Sequence, residues 1–254
     1  MIDFHSHIIY DIDDGSRNIE ESLEMIENAK KEGSKYICAT SHYMVGTYEP
    51  EREDYIKKIK SLMERVEGID IAEGLEVYID PSLPTLYKNE KIWGINKGKY
   101  MLIEFPMREI PKYSKDILYE MTVLNLTPII AHPERNSKFL KDISLLEEFI
   151  EEGYLLQMNA SSLIGFHGDE VRNFAETLVK RNMVHMLGSD GHNVKRRNTN
   201  IKEGFLRIKE LNPELYNWIK ENQHNIFNGQ DVMPLEIREE EKKKKGLFSF
   251  LRGK

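Results

Sequence analysis

The chain has 254 residues, enough for one sizeable core, and its 40% hydrophobic and 31% charged residues exclude collagenous and wholly disordered classes. No apolar run approaches the roughly 18 residues that span a bilayer, and Met1-Ile2-Asp3-Phe4-His5 lacks a signal peptide's basic and apolar regions, so a cytoplasmic protein is expected. The formal charge of −7 is uneven: residues 242–254 carry six basic residues and no acid, which leaves −13 on residues 1–241 and disfavours nucleic acid as a partner.

From the N-terminus onward, strand-like apolar segments alternate with segments of helical period, the pattern of parallel βα units. Residues 1–4 predict a first strand, followed by a helix with the stripe Ile19, Leu23 and Ile26. A strand over 36–40 precedes the stripe Tyr55, Ile59, Leu62 and Val66, and a third strand covers 69–75. Strands over 100–104 and 128–131 flank the stripe Leu118, Met121 and Leu124. Strands over 155–158 and 184–188 flank Val171, Phe174 and Leu178, and two more helices follow, one over 201–210 and one from Pro213. Gly33, Gly68 and Gly153 stand where left-handed residues end helices. Seven strands with intervening helices predict an α/β, distorted TIM-like (β/α)7 barrel over residues 1–232, with a charged, flexible tail over 233–254.

Residues able to bind metal fall where the predicted strands end. His5 and His7 follow the first strand, His42 the second, Glu76 the third, Glu104 ends the fourth, His132 follows the fifth, and Asp190 and His192 follow the seventh. In a parallel barrel these ends share one face, where active sites sit. Two residues apart on an extended chain, His5 and His7 project from one side and can grip one ion. That pair alone would more often be two satisfied loop histidines. Its coincidence with the other strand-end residues makes the bland explanation improbable. Of the remaining histidines, His185 reads as a core residue inside an apolar strand, and His167 and His224 have no partner pattern. Mixed imidazole and carboxylate donors suit Mn, Fe, Zn or Ni, and hydrolysis at a metal-activated water is the natural chemistry.

The strings Asp3-Phe4-His5-Ser6-His7, Asp13-Asp14-Gly15, Ala39-Thr40-Ser41-His42, Gly74-Leu75-Glu76, Ile103-Glu104-Phe105-Pro106, Ala131-His132-Pro133-Glu134-Arg135-Asn136 and Ser189-Asp190-Gly191-His192-Asn193 occur in this order. Together they resemble the polymerase and histidinol phosphatase (PHP) superfamily. Within it they look like the manganese-dependent protein-tyrosine phosphatases of Gram-positive capsule and exopolysaccharide systems. The resemblance implies the PHP fold and three divalent ions, manganese foremost. His5, His7, Glu76 and Asp190 would hold the first, Glu76, Glu104 and His132 the second, and Asp14, His42 and His192 the third. Only the family pattern selects Asp14: Asp11 and Asp13 are adjacent alternatives, and an Asp before Gly15 is ordinarily a turn residue.

Arg135 and Arg197 match the phosphate-binding arginines, with Arg196 as the alternative to Arg197 and a surface salt bridge as the bland reading of each. The implied reaction is attack on phosphotyrosine by a metal-bridging hydroxide. The implied partner is a tyrosine-phosphorylated protein, a membrane-associated bacterial kinase governing capsule synthesis. No general acid is identifiable. Cysteine-based tyrosine phosphatases have Arg six positions after their Cys, and here Met44 stands at that distance from Cys38. This chain has Ser41 and Tyr43 where relatives often carry Pro and His or Arg, so Tyr43, Tyr48 and Tyr78 are candidates for the pocket mouth. An exposed tyrosine is more often a packed loop residue.

Three rivals remain: a histidinol-phosphate or other small-molecule phosphatase of the same superfamily, a PHP nuclease, and a non-enzymatic regulator. The acidic body argues against the nuclease, and retention of every ligand position argues against the regulator. In the tail, Lys242 to Lys245 feed Gly246-Leu247-Phe248-Ser249-Phe250-Leu251-Arg252. The ordinary expectation there is a disordered end. The alternative is peripheral contact with the inner membrane face, through basic residues and interfacial apolar side chains.

Overall fold

The computed structural model describes residues 1–239. In chain order the elements are β1 (Ile2–Ser6), α1 (Ile19–Lys31), β2 (Tyr36–Ala39), β3 (His42–Tyr43), α2 (Arg52–Met63), β4 (Asp70–Glu73), β5 (Glu76–Tyr78), α3 (Leu83–Lys88) and β6 (Tyr100–Glu104). They continue with α4 (Ser114–Val123), β7 (Thr127–Ala131), α5 (Ser137–Lys141), α6 (Ser144–Glu151), β8 (Leu155–Asn159), α7 (Ala160–Leu163), α8 (Asp169–Lys180), β9 (Met186–Gly188), α9 (Lys202–Leu211) and α10 (Pro213–Phe227). Every laddered strand pair is parallel, as the βα alternation requires.

Two of the seven expected strands are each followed at once by a second, separately paired strand. The segment over 36–40 stops at Ala39 and resumes as β3, and the segment over 69–75 stops at Glu73 and resumes as β5. The first pieces pair in the order β1-β2-β4, and the second pieces join a separate sheet ordered β3-β5-β6-β7-β8-β9. Tyr55 of α2 fills the first gap: its hydroxyl donates to Ala39 O at 2.8 Å and accepts from Ser41 N at 3.2 Å. At the second gap a Cβ on Gly74 would lie 3.1 Å from Thr40 Cγ2, so the two breaks are packed against each other. His42 and Glu76 therefore do not trail from strand ends. They open the resumed strands and pair with each other in register.

The curled sheet brings β9 back beside β1. Asp190 N donates to His5 O and His7 N to Gly191 O, both at 2.8 Å. A Cβ on Gly188 would lie 2.3 Å from His5 Cβ, so the absence of a side chain there permits the closure. The result is the expected distorted seven-position barrel. Its fully buried side chains include Phe4, Ile37, Leu75, Leu102, Ile129, Leu156 and Leu187.

Helices form where the stripes predict them, with α2 ending at Met63 short of Val66 and α4 capped at Leu124. Asn18 caps α1 and Asn212 caps α10 by accepting from backbone N–H groups. Gly33, Gly68 and Gly153 have φ of +97°, +79° and +90°. The short helices α3, α5, α6 and α7 carry too few turns for a periodic signal. Residues 233–239 lie along the body: Trp218 Nε1 donates to Met233 O at 2.9 Å, Asn182 Nδ2 to Glu236 O at 2.9 Å, and Arg238 pairs with Glu214. The basic and aromatic run over 242–254 lies outside the described residues.

Candidate metal centre

Nine sequence-selected side chains meet at one face. Their ligand atoms fall into four overlapping groups: His7, Asp14, His42 and His192; His5, His7 and Asp190; His5, Glu76 and His132; and His42, Glu76 and Glu104. Glu76 sits at the middle, with Oε2 3.1 Å from His5 Nε2, 3.2 Å from His7 Nε2 and 3.1 Å from His42 Nδ1, and Oε1 2.9 Å from His132 Nε2. Asp14 approaches His192 Nε2 at 3.3 Å and His42 Nε2 at 3.5 Å.

The histidines are aimed from outside the cluster. Gln157 Oε1 lies 2.9 Å from His5 Nδ1, Asp13 Oδ2 lies 2.8 Å from His7 Nδ1, and the Asp190 carbonyl lies 2.9 Å from His192 Nδ1. Each acceptor selects the tautomer with its proton on Nδ1 and turns the Nε2 lone pair inward, as outer partners of metal-binding histidines do. His5 Nε2 and His7 Nε2 consequently face each other at 3.1 Å. Two lone pairs at that distance repel unless a proton or a metal ion lies between them. Among the described residues, Glu76 Oε2, His42 Nδ1 and His192 Nε2 are buried without a hydrogen-bond partner, a cost expected only where another species satisfies them.

Electrostatics point the same way. Burial, with Glu76 and Asp190 adding like charge, pushes Glu104 up to about 9. Burial lowers His42, His132 and His192, leaving them neutral and able to donate lone pairs. Asp190 is buried too, yet His5 and Arg197 hold its carboxyl well below the usual range. Burial works against charge on His5 and His7 too, but Glu76 beside His5, and Asp13 and Glu76 beside His7, outweigh it and raise both. So dense a set of carboxylates and imidazoles fits divalent cations.

Two arginines border the cluster. Arg135 Nη1 donates to Asp190 Oδ2 and Arg197 Nη2 to Asp190 Oδ1, each at 2.7 Å. Arg196 instead lies over the Phe166 ring, 5.5 Å from its centroid, so Arg197 is the one that faces the cluster. His132 and Asp190 both have positive φ, 29° and 53°, a backbone cost often found at functional sites.

Tyr43, a candidate for the mouth, is instead buried in the core; Tyr48 lies against His42 with ring centroids 6.0 Å apart. His185 is buried as expected, its Nδ1 accepting from Leu156 N at 2.9 Å. Cys38 is fully buried, and burial pushes its thiol well above the usual range.

The supporting residues escaped the sequence reading. Asp13 stood there only as a rival to Asp14, and its real contacts are His7 Nδ1, His42 N at 2.8 Å and Gly15 N at 3.0 Å. Gln157 and Asn159 sit two apart on β8, and Asn159 Nδ2 donates to Asp190 Oδ2 at 2.8 Å. Two polar residues at period two in an otherwise apolar strand were the available signal. Glu134 is buried beneath them, accepting from Asn159 N at 3.0 Å and Ser162 Oγ at 2.7 Å.

The family model for capsular polysaccharide synthesis, CpsB/CapC, matches residues 1–227. CapC of Staphylococcus aureus is 34% identical over 99% of this chain and 100% of its own length. The tyrosine-protein phosphatase YwqE of Bacillus subtilis is 33% identical over 91% of this chain and 93% of its own. A crystal structure described as one of YwqE from Bacillus subtilis and CpsB from Streptococcus pneumoniae, metal-dependent tyrosine phosphatases, superposes with a TM-score of 0.88 at 31% identity, covering 94% of this chain and 98% of that one. A histidinol phosphate phosphatase from Lactococcus lactis shares the fold, with a TM-score of 0.55 at 18% identity over 83% of this chain and 92% of that one.

Proposed function

This chain belongs to the CpsB/CapC family of capsular polysaccharide synthesis, and on that premise we propose that it is a metal-dependent protein-tyrosine phosphatase hydrolysing phosphotyrosine on proteins. One observation carries the reading: nine imidazole and carboxylate side chains converge beside two arginines that meet on a single carboxylate. The ligand sets are His5, His7, Glu76 and Asp190; Glu76, Glu104 and His132; and Asp14, His42 and His192, with three manganese ions as the native complement. Their unpartnered buried atoms and inward lone pairs support the assignment.

Bound divalent ions supply Lewis-acid charge and water whose pKa falls to about 7. The chain's own residues do the rest. Arg135 and Arg197 receive phosphoryl oxygens, their planar forks matching two oxygens each. Gln157, Asp13 and the Asp190 carbonyl hold three histidines in one tautomer. The phenol of tyrosine, with a pKa near 10, leaves with less need of a proton donor than an alkoxide has. Cys38, buried and protonated, takes no part.

The proposed substrate is a membrane-associated bacterial tyrosine kinase of capsule or exopolysaccharide synthesis. Among the described residues no helix is long and apolar enough to cross a membrane. The proposed contact with the inner membrane face falls to residues 242–254. Co-sedimentation with anionic vesicles, comparing the full chain with one ending at Glu241, tests it; equal binding of both, or none at low salt, would remove the contact.

Phosphate release from a phosphotyrosyl peptide and from histidinol phosphate, with manganese supplied, tests the activity. Preference for the peptide is expected. Preference for histidinol phosphate would move the enzyme to the small-molecule class, and no turnover of either would leave a non-enzymatic regulator.

A further inference from the structure

A cavity of about 280 Å³ opens from the arginine side of the cluster, with Asp190 and Arg197 in its wall beside Phe166, His167, Ile164 and Arg196. We infer that this cavity seats the aromatic ring of the substrate's phosphotyrosine, with Phe166 and Ile164 as its apolar contacts. The inference rests on the phosphatase reading and assigns the ring-binding residues that the reading leaves open.

Three observations support the placement. Arg197 both bonds Asp190 and lines the cavity, so a phosphoryl group on that arginine has its ester oxygen at the cavity's edge. On the other side of the cluster, the hollow at Asp14 and His192 is bordered by Arg17, Glu21 and Lys195, with Val194 as its apolar residue. That hollow has no Phe, Tyr or Trp in its wall to meet a ring. The arginine-side cavity offers Phe166 and Ile164, the latter 51% exposed. Ring pairs favour offset or edge contacts.

The loop is shaped for this. Gly165 and Gly168 have φ of +83° and +94°, conformations that L side chains rarely adopt. They bracket Phe166 and His167 and turn both toward the cavity. Arg196 lies over the Phe166 ring with its guanidinium 5.5 Å from the centroid, holding the ring against the wall. Burial, with Arg135 and Arg197 adding to it, pushes His167 down to about 4, so its imidazole is an uncharged surface at neutral pH.

The test is steady-state kinetics of the full chain with manganese, on a phosphotyrosyl peptide and on free phosphotyrosine. Inorganic phosphate as product inhibitor and metal content are read on the same samples. Phe166→Ala should raise KM for both substrates about tenfold, on the scale of a lost aromatic contact with its buried area. The inhibition constant for inorganic phosphate and the metal content should hold. Phe166→Tyr should restore KM. Ile164→Ala, at an exposed position where folding is not at risk, should raise KM in the same direction by a smaller factor. Unchanged KM for free phosphotyrosine in both alanine variants would overturn the inference while leaving the phosphatase reading intact. A phosphate inhibition constant that rose in step with KM would also overturn it, because the defect would then lie at the phosphate. A wild-type chain inactive on phosphotyrosine would remove the phosphatase reading and the inference with it.

Discussion

Asp13 holds three groups at once: His7 Nδ1, His42 N and Gly15 N. It touches none of the inward-facing lone pairs, yet it fixes the tautomer of one proposed ligand and the backbone of another. Asp13→Ala should weaken metal binding about 10- to 100-fold, the usual effect of removing such a partner, while the metal-saturated protein keeps most of its kcat. Calorimetric manganese titration beside kinetics at saturating metal would check this, and unchanged affinity would reduce Asp13 to a turn residue. Arg135 and Arg197 are bonded to Asp190 in the described structure, so their loss tests two roles. If they receive phosphate, Arg135→Ala or Arg197→Ala should each lower kcat/KM by about 10²- to 10³-fold, as for a lost oxyanion donor, with metal content changing far less. If metal content falls in step with rate, the arginines serve Asp190 instead.

Between elements, two side chains stand in for backbone ladder bonds. Tyr55 Oη bridges Ala39 O and Ser41 N where β2 breaks from β3. Tyr55→Phe leaves both groups buried and unpaired, at a cost of about 1–3 kcal/mol, and should loosen His42 one residue further on. Denaturant unfolding together with manganese affinity would measure both, and a fully stable Phe variant would mean that water fills the gap. His185 extends the β8–β9 pairing: its N donates to Leu156 O at 3.0 Å and its Nδ1 accepts from Leu156 N. Burial pushes its pKa down to about 3. Between pH 6.5 and 3 the unfolded chain therefore takes up a proton that the folded one refuses. Stability falls with pH across that window, by up to about 1.4 kcal/mol per unit from this group, and is unaffected by it above 6.5. His185→Asn keeps an acceptor without the titration. Its unfolding free energy, measured at pH 7, 6 and 5, should fall less steeply than the wild type's, and equal slopes would contradict the account.

Across the whole molecule, an acidic chain gathers carboxylates and imidazoles at one barrel face, where burial and like charge push Glu104 up to about 9. Much of this was legible beforehand. Alternating strand and helix periods placed His5, Glu104, His132 and Asp190 at strand ends because parallel connections force those ends onto one face. The breaks at Thr40-Ser41 and Gly74-Leu75 were not legible, since what changes across them is the pairing partners of the chain. Gln157 and Asn159 were visible only as two polar residues at period two, and their task appears when β8 lies beside β7 and β9.

Such a cluster demands cations that bind the folded chain alone, so manganese should raise the unfolding midpoint, by about 2.7 kcal/mol of added stability at a hundredfold excess over its dissociation constant. Turnover of a phosphotyrosyl peptide tests the central claim most directly, measured on chelated protein and again as manganese is returned, with bound metal counted on the same samples. Negligible turnover without metal, rising toward a maximum as occupancy approaches three ions per chain, is the predicted result. Full turnover by the metal-free protein would contradict it.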